Sequence, residues 1–303
     1  MKTSRVPVNG QEYTLQIGYQ ADTALRAELN RMTNEFWGFD FEPFYQSGYW
    51  DASCIPYSLF QGEQMVAHTT LSIIDTQCNG QLLKLGQIGT VMCDKAYQRR
   101  GLARFLMEKI QADYQAQLDG YFLFANETVL DFYPKFGFVP IAEYQTIIPF
   151  SYTGSAATAR KLDLDQVEDR LLFEEYVRRS MPTSKLHMDN FGLTFFYCYA
   201  YPEFGFKDAI YYLPDLQTIA VAQYAGSTLT VYEIFQQKAG SMSDLLQALG
   251  NKALDKVVFG FSPLAIDAVQ KPYVEDDLSL FVSQEIAPVF RSAQLMVPLL
   301  SHT

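Results

Sequence analysis

Residues 90–110 read TVMCDKAYQRRGLARFLMEKI, and the hydrophobic period of this stretch changes at Gly101. The residues before Gly101 fit a strand followed by a short loop, whereas Leu102, Leu106 and Ile110 recur every four residues after it. A recurrence of that kind predicts an amphipathic helix. A glycine at a strand-to-helix junction lets the chain turn tightly, so that several N–H groups at the helix N-terminus point outward together. The stretch therefore predicts an anion-binding loop.

Cations surround this loop in a chain that is otherwise acidic. Arg99, Arg100 and Arg104 lie beside Gly101, although the chain has 23 basic and 34 acidic residues and a formal net charge of −11. The helix dipole adds about half a positive charge at the same place. A pyrophosphate is the natural ligand of such a loop. On these residues alone, an ordinary strand-to-helix turn with surface arginines remains the alternative.

Composition excludes several other classes of protein. The 303 residues suggest two domains, and the halves before and after residue 150 carry −5 and −6, which argues against a nucleic-acid partner. The first twenty residues lack the pattern of a signal peptide, and no run approaches 18 apolar residues. We therefore expect a cytoplasmic protein without a membrane partner. The isolated cysteines predict no metal site and a reduced compartment: Cys54, Cys78, Cys93 and Cys198.

Hydrophobic periodicity predicts an α/β first half. Asp22 is a candidate N-cap for a helix, and Asn79-Gly80 predicts a hairpin turn because a type I′ turn needs positive φ at both central residues. Gly137 is placed to end a helix in the left-handed conformation. The predicted helices cover 22–36, 102–118 and 128–136, and the predicted strands cover 55–60, 65–75, 82–93, 121–125 and 139–148.

The second half repeats this order of elements. Residues 151–158 (SYTGSAAT) are small and polar and form the best linker candidate. Beyond them we predict helices over 165–180, 243–249 and 264–270, and strands over 193–201, 209–213, 218–224, 229–235, 256–261, 278–282 and 293–297. We interpret the recurring meander, helix, strand, helix and hairpin as a diverged internal duplication.

A second motif gives the loop its context. Residues 126–138 read NETVLDFYPKFGF, in which Asn126 is followed seven residues later by Tyr133 and then by Gly137-Phe138. Together with residues 90–110, this motif resembles the GNAT superfamily of N-acyltransferases over roughly residues 15–150. The resemblance implies tandem GNAT-like domains of α/β (α+β) class, each with a central mixed, mostly antiparallel sheet flanked by helices.

The resemblance also implies the residues that bind acetyl-CoA. Loop amides hold the pyrophosphate, and the splayed end of the preceding strand pairs with pantetheine. The sequence departs from the family pattern at Ala103, where glycine is usual, and at Lys95, where proline is common. By position, the implied cofactor-binding residues are Val91, Met92, Cys93, Gln98, Arg99, Arg100, Gly101, Leu102, Ala103, Arg104, Asn126 and Tyr133.

The implied reaction is direct attack of a primary amine on the acetyl thioester in a ternary complex. Tyr133 is then the acid that protonates the CoA sulfur, and an N–H of residues 91–93 polarises the acetyl carbonyl. Asn126 either bonds pantetheine or caps the next helix. The base stays open, because strand 82–93 lacks the Glu that many relatives carry. We name His68 as the candidate, with Glu127, Asp51 and a water chain at Thr90 as alternatives.

The aromatic segment FWGFDFEPFYQSGYWD at residues 36–51 is a lid or pocket wall, or else a satellite core under a long loop. As part of an acceptor site, its acidic and aromatic residues would suit a small cationic amine. This favours an N-acetyltransferase acting on such an amine. A non-catalytic acyl-CoA-binding or regulatory protein is the alternative, and aminoacyl transfer would require a basic surface that the composition does not provide.

The two halves differ at the loop. The second half has QKAGSM at residues 237–242, where Met242 replaces the small final residue, and no second Asn–Tyr motif follows. We therefore predict an acetyl-CoA-binding catalytic domain over 1–150 and, over 158–303, a GNAT-like domain that lacks an intact CoA loop. That second domain would shape the acceptor cleft or a dimer face, and a homodimer stays open.

Overall fold

A computed structural model describes residues 1–264, 266, 268 and 270–302 of the chain. Its first half begins with a β-hairpin and continues through a helix and a three-stranded meander to the predicted loop. The elements are β1 Lys2–Val8, β2 Gln11–Ile17, α1 Thr23–Trp37, α2 Glu42–Gln46, β3 Cys54–Gln61, β4 Gln64–Cys78, β5 Gln81–Cys93, α3 Leu102–Tyr114, β6 Gly120–Ala125, β7 Phe138–Pro140 and β8 Glu143–Pro149.

The second half has shorter elements. A π-helical turn over Phe196–Ala200 follows directly on its second helix. The elements are β9 Arg160–Lys161, α4 Val167–Arg178, β10 Leu186–Asp189, α5 Phe191–Phe195, β11 Ile210–Leu213, β12 Thr218–Ala225, β13 Thr228–Gln236, α6 Met242–Leu249, β14 Lys256–Phe259, β15 Gln270–Tyr273, β16 Ser279–Ser283 and α7 Ala287–Ala293.

Across the described residues, no helix is long and apolar enough to cross a membrane.

The first sheet has the order β1-β2-β3-β4-β5-β6-β16-β7, and β10 extends it beside β4. Its neighbours are antiparallel except for β5 and β6, which run parallel because α3 crosses between them. Turns with positive φ at Asn79-Gly80 and at Asn9-Gly10 close two of its hairpins. The Asn79-Gly80 turn was predicted from its residues and the Asn9-Gly10 turn was not, although both carry the same Asn-Gly signal.

The second sheet has the order β15-β8-β14-β13-β12-β11-β9. Strands β12 and β13 are antiparallel, whereas β13 and β14 are parallel and α6 lies between them in the chain. This arrangement repeats that of β4, β5, α3 and β6. Two mixed, mostly antiparallel sheets flanked by helices confirm the predicted fold class.

The two sheets exchange strands. Strand β8 leaves the first half and pairs with β14 and β15, whereas β16 of the second half inserts between β6 and β7. Neither residues 1–150 nor residues 158–303 therefore hold a complete sheet. The predicted linker at residues 151–158 lies between β8 and β9, but the sheets do not divide there.

Three predicted elements differ in the structure, and a fourth falls partly outside the described residues. The 193–201 strand is wrong, because Asn190 Oδ1 accepts from Leu193 N and the aromatic run packs as α5 and the π-helical turn. Residues 128–136 form two 3-10 turns instead of a helix, although Gly137 does end them at φ 82°. No strand covers 293–297; α7 and an irregular segment of described residues lie there. The predicted 264–270 helix includes residues 265, 267 and 269, which lie outside the described residues.

Candidate active site

The candidate site begins where β5 and β6 diverge. Their parallel pairing runs from Leu85–Gly120 to Ile88–Leu123, and β5 continues beyond that point against β4 alone. A β-bulge interrupts β5 opposite His68–Thr70, and Thr90 in the bulge has φ 53°. Backbone groups of residues 89–93 on the β6 side are therefore available to a ligand that lies between the strands.

The predicted anion loop follows the diverging strand. Arg99 and Gly101 have φ values of 62° and 82°, and α3 begins directly after Gly101 without a side-chain cap on its first N–H groups. Asn9 Nδ2 donates to Arg100 O at 2.8 Å and so ties the loop to the β1–β2 turn. A Cβ at position 101 would lie 2.7 Å from Asn9 Nδ2, so both the backbone conformation and the available space favour glycine there.

All three predicted arginines are exposed at this loop. Arg100 Nη2 donates to Ala96 O at 2.8 Å and its guanidinium lies over the Tyr97 ring. Arg104 lies 3.7 Å from a Glu108 oxygen and over the Phe136 ring. The loop therefore has a positive rim, while its open amides provide the directed hydrogen-bond donors.

A cavity of about 640 Å³ lies at the divergence. It brings together most of the residues that the sequence analysis assigned to the cofactor, namely Val91, Met92, Cys93, Gln98, Ala103, Asn126 and Tyr133. Leu102 is buried in the core beneath the loop, so its backbone alone is placed to act. The volume lies within the usual range for small-molecule sites.

Tyr133 lies in the wall of this cavity, where 5% of its surface is exposed. Its ring packs against Phe132, Phe138 and Phe281, the last contributed by the exchanged strand β16. Burial raises the pKa of Tyr133 to about 12, so its hydroxyl keeps its proton at neutral pH. The position and the protonation state both fit a proton donor.

Asn126 lines the same cavity and begins the 3-10 turn Glu127–Val129. Its Oδ1 accepts from Thr128 N at 3.1 Å and from Thr128 Oγ1 at 2.6 Å. The capping role left open by the sequence is therefore present in the structure. The cap uses Oδ1, and no hydrogen bond from Nδ2 is found among the described residues.

His68 lies behind the cavity and not in its lining. Its Nδ1 bonds Ser58 Oγ at 2.7 Å and its Nε2 bonds Thr70 Oγ1 at 2.8 Å, while Tyr19 packs beside it. Full burial lowers the pKa of His68 to about 3. The candidate base therefore does not reach the cavity itself, and it contacts the site through Thr70, which does line it.

The 36–51 segment forms a wall of the cavity. Phe36, Trp37, Phe39, Phe41, Phe44 and Trp50 all line it. The acidic residues of the segment face other partners: Glu42 bonds Arg26 at 2.8 Å, which holds the pKa of Glu42 down at about 2, and Asp51 Oδ1 accepts from Ser53. The expected acidic surface is thus not the surface that the cavity presents.

The opposite wall comes from the second half of the chain and was missed at the sequence level. Leu193, Phe196, Tyr197 and Phe204 line the cavity from α5 and the turns that follow it. The available signal was the aromatic density of FGLTFFYCYAYPEFGF at residues 191–206. Its alternating pattern favoured a strand, whereas these rings pack against the 36–51 segment in one buried cluster.

The corresponding loop of the second half differs from the first. Ser241 Oγ accepts from Asp244 N at 3.2 Å, so a side chain of the loop itself caps α6. Asp244 adds a negative charge in the first turn of that helix. Both features oppose anion binding at the start of α6, whereas the first amides of α3 are left open.

The diverging strands and the loop with open amides lie within one stretch of the chain, which also supplies most of the described lining of the cavity. Residues 24–138 match the model of the acetyltransferase (GNAT) family, which confirms the resemblance seen in the two motifs. Residues 24–138 are therefore similar to GNAT acetyltransferases, a family that implies acyl transfer from acyl-CoA.

Solved structures with the same fold extend over most of the chain. A "Probable N-Acyltransferase" from Enterococcus faecalis V583 has 11% identity and a TM-score of 0.58, with 91% of this chain and 74% of that chain covered. A GCN5-related N-acetyltransferase from Kribbella flavida has 16% identity, a TM-score of 0.53 and coverages of 91% and 73%. Eis1 from Mycobacterium abscessus has 13% identity, a TM-score of 0.54 and coverages of 88% and 72%. At these identities the likeness shows the fold alone, and no curated protein matches the chain in sequence.

Proposed function

We propose that the protein is an N-acetyltransferase that transfers the acetyl group of acetyl-CoA to a primary amine of a small acceptor. The observation that carries this proposal is the single cavity that joins the diverging end of β5, the anion loop and Tyr133. A thioester held along β5 would lie beside the proton donor and open toward the aromatic wall. We assign cofactor binding to the first half of the chain.

The residues present fit acetyl-CoA. The uncapped start of α3 and the left-handed loop suit its pyrophosphate, and the unpaired edge of residues 89–93 suits its amide-bearing arm. Acetyl-CoA would supply an activated acetyl group as a thioester. The chain supplies position, an N–H donor toward the carbonyl oxygen and a proton for the leaving sulfur.

The reaction balances without an added oxidant or metal. The amine nitrogen forms a bond to the acetyl carbon, the carbon–sulfur bond breaks, and the Tyr133 proton goes to sulfur. The nitrogen loses one proton to water, and a proton from water restores Tyr133. General acid catalysis of this kind contributes about 10²- to 10⁴-fold in rate.

Direct transfer is favoured over an acetylated cysteine. Cys54 and Cys93 both line the cavity. Burial raises the pKa of these thiols to about 12 and about 11, so neither is a thiolate at neutral pH. The thiol form is a poor nucleophile, which leaves the acceptor amine as the attacking group.

The assignment is tested by acetyl-CoA binding to a loop variant. Acetyl-CoA should raise the melting temperature of the wild-type chain, and Gly101→Asp should abolish that shift because it places a carboxylate in the anion loop. Gly80→Asp is the matched control, since Gly80 is also a left-handed glycine, at φ 85°, but lies in a hairpin turn outside the cavity. Titration should give one acetyl-CoA per chain. An undiminished shift in Gly101→Asp, or two sites per chain, would contradict the assignment.

A further inference from the structure

The described residues on the acceptor side of the cavity are uncharged. Among the described residues that line the cavity, none is Asp, Glu, Lys, Arg or His. Polar atoms there belong to hydroxyl, thiol and amide groups, including those of Thr70 and Ser72. The rest of the acceptor wall is aromatic, with Trp37, Phe39, Phe196 and Phe204 among its members.

The rings of the aromatic wall pack against one another across the two halves of the chain. Trp37 stacks on Phe39, and Phe39 meets Phe204 edge to face across the two halves of the chain, with ring centroids 6.3 and 6.5 Å apart. Tyr201 hydroxyl donates to Asp40 O at 2.5 Å, and Tyr197 hydroxyl donates to His302 O at 2.5 Å. The Tyr201 bond joins the second-half segment to the 36–51 segment, and the Tyr197 bond joins it to the C-terminal residues.

Two carboxylates of the 36–51 segment already have hydrogen-bond partners. Asp40 Oδ1 accepts from Glu42 N, and Glu42 is held by Arg26, Asn30 and Gln46. A ligand with several ammonium groups would lose their hydration in the cavity and find no counter-charge. Burial of an ammonium group without a counter-charge is unfavourable, whereas an aromatic ring gains from contact with the wall.

We infer that the acceptor is a primary amine that carries an aromatic ring, bound with the ring against Trp37, Phe39 and Phe204 and with the amino group neutral. The inference rests on the proposed function, because it names the acceptor of that same site. An apolar cavity favours the neutral form of an amine over its ammonium form. The neutral form is also the nucleophile, so the lining prepares the amine for attack without a carboxylate base.

The two tryptophans of the chain report on this site directly. Trp37 and Trp50 are the tryptophans of the sequence, and both line the cavity. Phenethylamine should change their emission saturably, and spermidine should not. With acetyl-CoA present, free-thiol release should give phenethylamine a kcat/KM at least tenfold above that of spermidine.

A carboxylate in the wall should reverse this preference. Phe204 is 39% exposed in the lining, so Phe204→Glu places a carboxylate at the cavity at the cost of the ring contacts to Phe39 and Phe196. We expect this variant to lower kcat/KM for phenethylamine at least tenfold and to raise that for spermidine. Leu171→Glu on α4 is the matched control, because Leu171 is 56% exposed and lies outside the lining. Trp37→Glu, at a position 47% exposed, is the second variant should Phe204→Glu fail to fold.

Other results would overturn the inference. A higher kcat/KM for spermidine than for phenethylamine would contradict it. So would tryptophan emission that does not change with phenethylamine, or that changes as strongly with tetramethylammonium. The wall would instead bind the acyl chain if kcat/KM were higher for hexanoyl-CoA than for acetyl-CoA and no higher for an aryl amine than for an amine without a ring. Thiol release with spermidine alone leaves the proposed function intact. Failure of acetyl-CoA to bind or react with any amine contradicts the proposed function, while the emission titration still decides the aromatic site.

Discussion

At the residue scale, the protonation states of two buried side chains define what the site can do. Tyr133 keeps its proton because burial raises its pKa to about 12, and it faces the cavity. His68 stays neutral because burial lowers its pKa to about 3, and it is separated from the cavity by Thr70. Tyr133 is therefore suited to donate a proton, whereas His68 is suited to hold Thr70 in place.

The pH dependence of stability tests the state of His68. The unfolded chain protonates this histidine near pH 6.5, whereas the folded chain does so only near pH 3. The contribution of His68 to the free energy of unfolding is therefore fully present above pH 6.5. It is lost as pH falls toward 3, at about 1.4 kcal/mol per pH unit. Urea unfolding at pH 7.5, 6.5, 5.5 and 4.5 should show this extra slope in wild type but not in His68→Gln.

The comparison with His68→Gln removes the contributions of other titrating groups to the pH dependence of stability. The pKa of His187 is also lowered by burial, and its contribution is the same in both proteins. The difference between the two slopes therefore belongs to His68. Equal slopes in the two proteins would show that His68 is protonated normally in the folded chain.

At the scale of elements, the loop that precedes α3 depends on a hairpin far away in sequence. The residue types of the loop were readable, because glycine, arginines and a change of period mark a strand-to-helix junction. The hydrogen bond from Asn9 to Arg100 could not be predicted from the sequence, since it joins residues 91 positions apart. The β5 bulge at Thr90 also required coordinates, because a bulge appears only once β4 and β5 are paired.

The support from Asn9 can be measured. Asn9→Ala removes the bond to Arg100 O and should weaken acetyl-CoA binding about 2- to 12-fold, the equivalent of a net hydrogen bond of 0.5–1.5 kcal/mol. Asn79→Ala is the matched control, because Asn79 has φ 47° and Asn9 has φ 48° in the same kind of Asn-Gly turn. Calorimetric titration with acetyl-CoA should separate the two variants. Equal affinities would contradict a role for Asn9 in the loop.

At the scale of the whole molecule, the halves are joined by their sheets and by the cavity. Strand β16 inserts beside β6 and places Phe281 against Tyr133, at 6.1 Å between ring centroids. The second half also supplies one wall of the cavity. Element order in the sequence predicted two similar halves, but local patterns carry no information on which half completes which sheet.

The packing of the two halves also explains which residues of the 36–51 segment face the cavity. The acidic residues of the 36–51 segment suggested a cationic acceptor when the segment was considered alone. Packed against the second half, the segment turns its rings toward the cavity and keeps Glu42 on Arg26. The net charge of −11 is therefore no guide to the charge of the acceptor site.

The most direct test of the account is the product formed from acetyl-CoA and phenethylamine, followed by mass spectrometry and thiol titration together. We predict N-acetylphenethylamine with one free thiol per amide bond, and a kcat at least 100-fold lower in Tyr133→Phe with acetyl-CoA affinity unchanged. Thiol release without amide, or an unchanged kcat in Tyr133→Phe, would contradict the account.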